Sequence, residues 1–274
     1  MEIILIVLTG AIVSAFGTVI GFGGGVFMIP ILIIFFRVPI NIAVGSVILA
    51  LFPGSLISTI FNHKNKTIDY ISGLILEIPT MLGTVAGSIL TAYLPTFLTE
   101  ILFSVFICVV GFYTFNKAQK GKIKHEETGI FYKLNNIGPK IKRNTVHGTY
   151  QMSYMLSLIF GLGAGITAGF FGIGGGFLKT PIMVNVFSIP PFIAASTALF
   201  MIVITSLTGS VSHYLLGHIT AHYSIPVVAG FIAGALAGNS LSLKISEKML
   251  TQLIGAGLLL AGFSVFAFNI FVKI

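Results

Sequence analysis

The stretches Gly21–Pro30, GFGGGVFMIP, and Gly172–Pro181, GIGGGFLKTP, share the ten-residue pattern GxGGGxxxxP and lie 151 positions apart. The same offset aligns further identical residues, among them Gly10 with Gly161, Pro39 with Pro190, Ser55 with Ser206, Gly87 with Gly238 and Phe112 with Phe263. Chance does not keep one register over roughly 100 residues, so the pattern predicts an internal duplication.

The composition is that of a membrane protein. Hydrophobic residues make up 55% of the chain, charged residues make up 8%, and the mean hydropathy is +1.04. These values exclude a water-soluble fold with a polar surface. Since the first residues lack a basic region and a cleavage site, we expect the opening apolar run to be retained. The expected location is the plasma membrane, as a multi-pass protein.

The net charge of +8 has a local origin. More than half of the fifteen Lys and Arg residues lie between Lys117 and Arg143, in a polar stretch that separates the two copies. Basic residues of membrane proteins mark cytoplasmic loops, so we expect a connector and no nucleic-acid partner. The predicted organisation is a first transmembrane repeat over 1–116, a basic cytoplasmic linker over 117–151 and a second transmembrane repeat over 152–274.

Each half contains five apolar segments. They cover 3–20, 26–36, 41–61, 71–93 and 97–116 in the first half, and 154–171, 177–188, 192–216, 223–243 and 249–272 in the second. A helix needs about 20 apolar residues to cross a bilayer, so the second segment of each half is too short. We expect these two segments to be half-helices or the return limbs of re-entrant hairpins. The predicted fold class is an all-α polytopic membrane protein.

The placement of cations favours repeats of opposite orientation, because the basic loops of one half correspond to uncharged loops of the other. Cations occur at Lys64 and Lys66 in the 62–70 loop and at Lys244 and Lys248 in the 244–248 turn, and are missing from the 94–98 and 217–222 loops. If cations mark the cytoplasm, the linker is inside and both termini are outside. This inverted topology requires three spanning helices per half besides the glycine hairpin; a fourth would make the repeats parallel.

The two glycine triplets are candidates for binding an anion. They comprise Gly23, Gly24 and Gly25 in the first motif and Gly174, Gly175 and Gly176 in the second. Glycine runs let the backbone approach a ligand, and a helix that begins there directs unpaired N–H groups and a partial positive charge at it. Broken helices at matching places in two repeats are where transporters hold their substrates. Tight helix packing is the alternative explanation.

Two charged residues lie inside predicted membrane segments. Lys179 belongs to the second motif, where the first motif has Met28. A lysine at membrane depth is costly without a cavity or a partner. It either draws an anionic substrate into the site or extends to the membrane interface. Glu77, whose equivalent in the second half is Val228, is a candidate for proton coupling because burial can bring a carboxyl group into the working pH range.

The third segment of each half carries polar side chains on an otherwise apolar helix. The candidates for substrate binding are Ser46, Asn62, Ser196, Thr197 and His213. Ser46 is the equivalent of Thr197, and Asn62 of His213, so we expect a symmetric pair of polar patches to line one central cavity. Any single hydroxyl is better explained by a hydrogen bond to its own helix backbone, and it is their concentration that indicates a site.

The sequence offers no pattern typical of catalysis or of metal binding. Cys108 is the single cysteine, and the histidines between His213 and His222 are widely spaced and have no acids near them. Neither a Ser-His-Asp arrangement nor a carboxylate pair is evident, so we expect no enzyme, no cofactor and no metal. No ATP-binding motif is evident either, so a gradient is expected to supply the energy for any transport.

Beside the duplicated glycine motif, the segments Ala194–Phe200 (AASTALF) and Gly209–His213 (GSVSH), followed by Gly217-His-Ile, resemble the TauE/SafE family of membrane transporters, described as sulfite exporters. The resemblance covers nearly the whole chain apart from the linker. It implies a secondary carrier, an exporter of sulfite, a sulfonate or a related small sulfur anion. An anion channel with the same glycine-lined site is the alternative, and a homodimer is possible.

Overall fold

A computed structural model describes residues 1–119, 135, 138–145, 148–241, 256, 258–260 and 262–268. The predicted 244–248 turn, with Lys244 and Lys248, lies outside these residues. Most of the linker before residue 138 and parts of the predicted 249–272 segment lie outside them as well.

Helices dominate both halves. The first half contains α1 (Glu2–Ile20), α2 (Gly25–Phe35), α3 (Ile40–Lys64), α4 (Tyr70–Tyr93) and α5 (Thr96–Gln119). The second contains α6 (Tyr154–Phe171), α7 (Gly176–Asn185), α8 (Pro191–Leu215) and α9 (Ala221–Leu241), and a further apolar helical stretch covers Leu258–Phe268. Among the described helices, seven are long and apolar enough to cross a membrane, namely α1, α3, α4, α5, α6, α8 and α9. This confirms the prediction of a helical multi-pass membrane protein.

The linker contains a β-hairpin that departs from the all-α prediction. Strand β1 (Lys140–Thr145) pairs with β2 (Gly148–Ser153) in antiparallel register, with Arg143 opposite Tyr150. Strand β2 leads directly into α6, so the predicted boundary at 151/152 falls inside the strand. Polar and charged residues dominate β1, and this masked the alternation that identifies half-buried strands.

Two helix pairs pack backbone against backbone through glycine. On α9, Gly230, Gly234 and Gly238 face α1; a Cβ atom placed on Gly234 would lie 2.2 Å from the carbonyl oxygen of Ala11. On α6, glycines at the same spacing face α4, and a Cβ atom on Gly165 would lie 2.1 Å from the Thr80 carbonyl oxygen. Small residues allow this approach, and van der Waals packing then holds the helices together in lipid. In both pairs, a helix of one half packs on a helix of the other.

Helices α3 and α8 pack on each other between these pairs. A Cβ atom on Gly45, near the start of α3, would lie 2.3 Å from the carbonyl oxygen of His218, just beyond the end of α8. At the other end, the Asp69 amide beyond α3 donates to Thr197 Oγ1 near the start of α8, at 3.0 Å. The start of each helix therefore lies beside the end of the other.

Backbone details recur at the 151-residue offset. After the short helices, Arg37 and Ser188 both adopt positive φ, 52° and 57°. The amide of Val38 donates to the Leu32 carbonyl at 3.0 Å, and the amide of Ile189 donates to the Met183 carbonyl at 3.0 Å. The two glycine-containing hairpins thus end in the same local geometry.

Asp69 joins the β-hairpin to the membrane helices. Its carboxylate caps α4 by accepting from the amides of Ile71 and Ser72. It also accepts from Arg143 Nη2 at 2.9 Å and from the Tyr150 hydroxyl. Burial alone would raise the pKa of Asp69, but the hydrogen bonds from Arg143, Tyr150 and Ser72 outweigh it and hold the pKa below its usual value.

We expect Asp69→Asn to lower the free energy of unfolding by about 2 kcal/mol at pH 7, because it removes charged hydrogen bonds from a buried acceptor. The folded-state pKa is depressed, so the contribution of Asp69 is complete above the unfolded pKa of about 4 and is lost as the pH falls through the folded value. Thermal unfolding in detergent at pH 7 and pH 3 tests this. The difference in melting temperature between wild type and Asp69→Asn should be smaller at pH 3 than at pH 7. Glu2→Gln, which replaces an exposed acid, is the control. A constant gap would contradict the assignment.

Gly165→Ala should destabilise the protein by about 1–3 kcal/mol, because its Cβ atom would overlap the Thr80 carbonyl oxygen and force α4 and α6 apart. Gly163→Ala is the matched control on the same helix, since nothing lies within 4 Å of its Cβ position. The control should be neutral or slightly stabilising, because alanine is the better helix former. Equal melting temperatures of the two variants in detergent would refute close backbone packing here.

Candidate functional site

The glycine motifs form two loops of the same shape. The residues at the first, third and fourth positions have positive φ in both copies, with Gly24 at 93° and Gly175 at 73°. Left-handed backbone is strained for any residue with a Cβ atom, which explains the glycines. Gly24 and Gly175 are also the N-caps of α2 and α7, and neither cap has a side-chain hydrogen bond.

The two loops contact each other, as the prediction of one shared site requires. A Cβ atom on Gly25 would lie 3.4 Å from the Cα atom of Ile173 in the second loop. A Cβ atom on Gly176 would lie 3.0 Å from the Gly21 carbonyl oxygen, which also accepts a 3.4 Å hydrogen bond from Thr180 Oγ1. The N-termini of α2 and α7 therefore begin at adjoining loops, although 151 residues separate them.

Two aliphatic side chains fill the space between the loops. Leu51 of α3 and Ile202 of α8, which are equivalent at the 151-residue offset, are both fully buried. The Leu51 Cδ atoms lie 2.7 Å and 2.8 Å from the Cβ positions of Gly23 and Gly174, and Ile202 Cδ1 lies 2.3 Å from that of Gly176. The place predicted for an anion is thus occupied by hydrocarbon in this conformation.

Ser55 adds a polar group beside the first loop. It lies one helical turn beyond Leu51, and its Oγ atom is 3.7 Å from the Cβ position of Gly23. This buried hydroxyl has no hydrogen-bond partner within the described residues. An unpaired buried hydroxyl is costly. It is available to a ligand that reaches the loop, where the first N–H groups of α2 have no partner within the helix.

Lys179 is completely buried and does not extend to the membrane interface, so the interface interpretation is wrong. Its Nζ atom lies 2.6 Å from Glu77 Oε2. Thr205 Oγ1 accepts a hydrogen bond from Lys179 and donates one to Glu77. Lys179 therefore already has a carboxylate partner, contributed by the residue that the sequence marks as a candidate for proton exchange.

The polar residues of α3 and α8 do not line one cavity. Ser46 accepts from Ser224 Oγ at 3.0 Å, and His213 Nε2 lies 2.9 Å from the Gly169 carbonyl oxygen. Thr197 bonds the Asp69 amide, with buried Ser196 beside it, and Asn62 lies in the last turn of α3. The start of each helix lies beside the end of the other. Ser46 and His213 are therefore at one end of the pair, while Asn62, Ser196 and Thr197 are at the opposite end.

Sequence reasoning missed the roles of Thr205, Ser55 and the Leu51–Ile202 pair. Thr205 lies among the polar side chains of α8, but its repeat equivalent is Gly54, so comparison of the two halves did not single it out. Ser55 and Leu51 lie one helical turn apart, and this spacing could have identified them as neighbours on one face of α3. Among the described residues no group of three His, Cys, Asp or Glu side chains could hold a metal ion.

Comparison with known proteins identifies the relatives of this chain as membrane transporters. The family model described as "Sulfite exporter TauE/SafE" matches residues 6–265. The chain is 30% identical to the probable membrane transporter protein YunE of Bacillus subtilis over 269 residues, 96% of each chain. It is 24% identical to a probable membrane transporter protein of Methanocaldococcus jannaschii, over 92% of each chain.

A shorter match extends to plants. The "Sulfite exporter TauE/SafE family protein 2" of Arabidopsis thaliana is 37% identical over 95 residues, which are 34% of this chain and 19% of that protein. No solved structure matches the chain. The family match spans nearly the whole sequence, including both glycine loops and the buried ion pair, and the chain therefore belongs to the TauE/SafE family of membrane transporters.

Proposed function

We propose that this protein is a secondary transporter of a small sulfur-containing anion, such as sulfite or an organosulfonate, and that it exports the anion by alternating access. The observation that carries the proposal is the meeting of two glycine loops from which short helices begin. Helix N-termini favour anions, and discontinuous helices of two repeats form the substrate sites of many carriers. The class of anion is the one for which the plant relative is named, as a sulfite exporter family protein.

The two halves are proposed to be inverted repeats. The contacts of Gly45 and Thr197 place the start of α3 beside the end of α8 and the reverse, as expected for antiparallel helices. Two equivalent helices that run antiparallel are related by a twofold rotation axis perpendicular to them. If α3 and α8 cross the bilayer, that axis lies in the membrane plane. Helix α2 then returns from the middle of the membrane, and α1 with α2 forms the re-entrant hairpin.

The orientation is proposed from the charges. The β-hairpin carries Lys140, Lys142 and Arg143, and through Asp69 it contacts the loop that contains Lys66. These cations therefore lie on one face of the protein, and the positive-inside rule places that face in the cytoplasm. With inverted repeats of three crossings each, both termini lie outside the cell.

The two aliphatic side chains between the glycine loops favour a carrier over a channel. Leu51 and Ile202 fill the space between the loops, and a carrier requires such a closure on one side at a time. In the open conformation we assign the anion to the amides of both glycine triplets, to Ser55 and to Lys179. Glu77 is assigned to proton exchange. The clusters with Ser46 and His213, and with Asn62, Ser196 and Thr197, are assigned to the two entrances.

Flux in proteoliposomes tests the proposal. We expect saturable uptake of radiolabelled sulfite and methanesulfonate, with counterflow when the vesicles are preloaded with unlabelled anion. Single-channel currents without counterflow would favour the channel. Flux no greater than in protein-free vesicles for every small anion would refute the proposed function.

We expect Gly24→Val and Gly175→Val each to abolish flux, because both positions have positive φ and valine cannot adopt it without strain. Gly163→Val is the matched control, since its Cβ position faces open space. Size-exclusion profiles in detergent check that all three variants are folded. Wild-type flux through a folded Gly24→Val protein would remove the first loop from the site.

Ser55→Ala should raise the half-saturation concentration of the anion about fivefold, corresponding to the loss of one hydrogen bond of about 1 kcal/mol. Ser206→Ala is the control in the other half, since its hydroxyl donates to the Val203 carbonyl of its own helix at 3.2 Å. Initial flux against anion concentration gives both values. Equal half-saturation concentrations in the two variants would exclude Ser55 from anion binding.

A further inference from the structure

We propose that the Glu77 carboxylate holds the place of the transported anion on Lys179, and that the anion replaces it only when Glu77 takes up a proton. One proton then accompanies each monovalent anion, and transport is electroneutral. This inference rests on the proposed function and specifies both its coupling ion and the charge of its substrate.

The ion pair lies at the junction of three helices. Glu77 belongs to α4, Lys179 to α7 and Thr205 to α8, and the two charged side chains are 1% and 0% exposed. Lys179 Cε lies 3.1 Å from the Cβ position of Gly175, the N-cap of α7. The lysine side chain therefore runs back toward the glycine loop, as helical side chains do. An anion bound at this N-terminus lies next to the lysine side chain.

The pair is electrically neutral as it stands. A second anion on Lys179 would leave the Glu77 carboxylate unpaired in a low-dielectric interior, which is strongly unfavourable. A proton on Glu77 removes that charge, so lysine and substrate again form a neutral pair. A monovalent anion satisfies this balance, whereas a divalent anion leaves one uncompensated negative charge. We therefore expect hydrogen sulfite and sulfonates to be carried in preference to sulfate.

Other titratable groups near these helices do not take the place of Glu77 as the group that exchanges a proton. Tyr154 lies at the start of α6, and His213 and Tyr214 lie at the end of α8, while Tyr70 and Tyr93 lie at the ends of α4 itself. His213 is engaged with Gly169 and His218. Within the described residues, the partners of Glu77 are Lys179 and Thr205.

The repeat-equivalent positions do not form a second copy of the pair. At the 151-residue offset, Lys179, Glu77 and Thr205 correspond to Met28, Val228 and Gly54. A single exchangeable carboxyl accounts for one proton per cycle rather than two. Since the proton moves with the anion, net export follows the combined concentration gradients of the anion and the proton and should slow when the outside is acidic.

The test uses the wild-type protein in proteoliposomes, with a pH dye inside and the membrane potential set by potassium and valinomycin. The probes are methanesulfonate, which has one negative charge at every working pH, and sulfate, which has two at neutral pH. We expect one proton per methanesulfonate, rates that do not change with potential, and at least tenfold slower sulfate flux. Methanesulfonate flux without proton movement, or with a potential-dependent rate, would overturn the inference and leave the proposed function intact. The absence of flux for every anion refutes the proposed function itself.

Substitutions test the roles of the Glu77 and Lys179 charges separately. Glu77→Gln imitates the protonated state, so its methanesulfonate flux should lose proton coupling and become dependent on potential. If this variant does not fold, the double variant Glu77→Gln with Lys179→Met, which leaves no buried charge, should fold and lose at least tenfold in flux. Thr208→Val, whose hydroxyl donates to its own helix at 3.0 Å, is the control and should keep the wild-type stoichiometry. A folded Glu77→Gln protein that still carries one proton per anion, or a double variant with wild-type flux, would overturn the proposal.

Discussion

The central constraint on this protein is that non-helical backbone at membrane depth must be surrounded by protein. Lipid offers no hydrogen bonds, so a loop can interrupt a membrane helix only where it is buried. The loops at Gly21 and Gly172 meet this requirement because α1 and α6 lie against them and side chains of α3 and α8 fill the space beside them. A Cβ atom on Gly17 would lie 2.0 Å from the Gly24 amide nitrogen, which shows how closely the first loop is covered.

The buried ion pair introduces an asymmetry into a duplicated chain. Glu77, Lys179 and Thr205 form a neutral but polar unit, whereas the 151-residue offset gives Val228, Met28 and Gly54 at the equivalent positions. Such a pair adds little net stability compared with hydrocarbon, because both charges lose their hydration. Its presence beside the second glycine loop is therefore better explained by function than by folding.

Local features could be predicted from the sequence, and contacts between distant residues could not. The helix bounds and the short α2 and α7 follow from hydropathy and from glycine conformation, which involve neighbouring residues only. The Glu77–Lys179 pair escaped prediction because 102 positions and the boundary between the halves separate its members. The expected common cavity of Asn62 and His213 was wrong for a geometric reason: repeat-equivalent ends of antiparallel helices lie far apart. The β-hairpin was missed because the polar residues of β1 mask its alternation and because its partner Asp69 lies 74 positions before Arg143.

The exchange of helices between the halves has a consequence for synthesis. Helix α1 presents a face of small residues to the glycines of α9, and α4 presents its face to the glycines of α6, so the first half has no internal partner for either surface. During translation, α1 must wait in the bilayer until about 200 more residues have been added, roughly 10–40 s at usual rates of elongation. Its small residues are meanwhile open to any passing helix, including another newly made α1. Correct assembly therefore requires that the second half is inserted before α1 associates with another helix. A fragment that ends at the linker should be a target for membrane quality control.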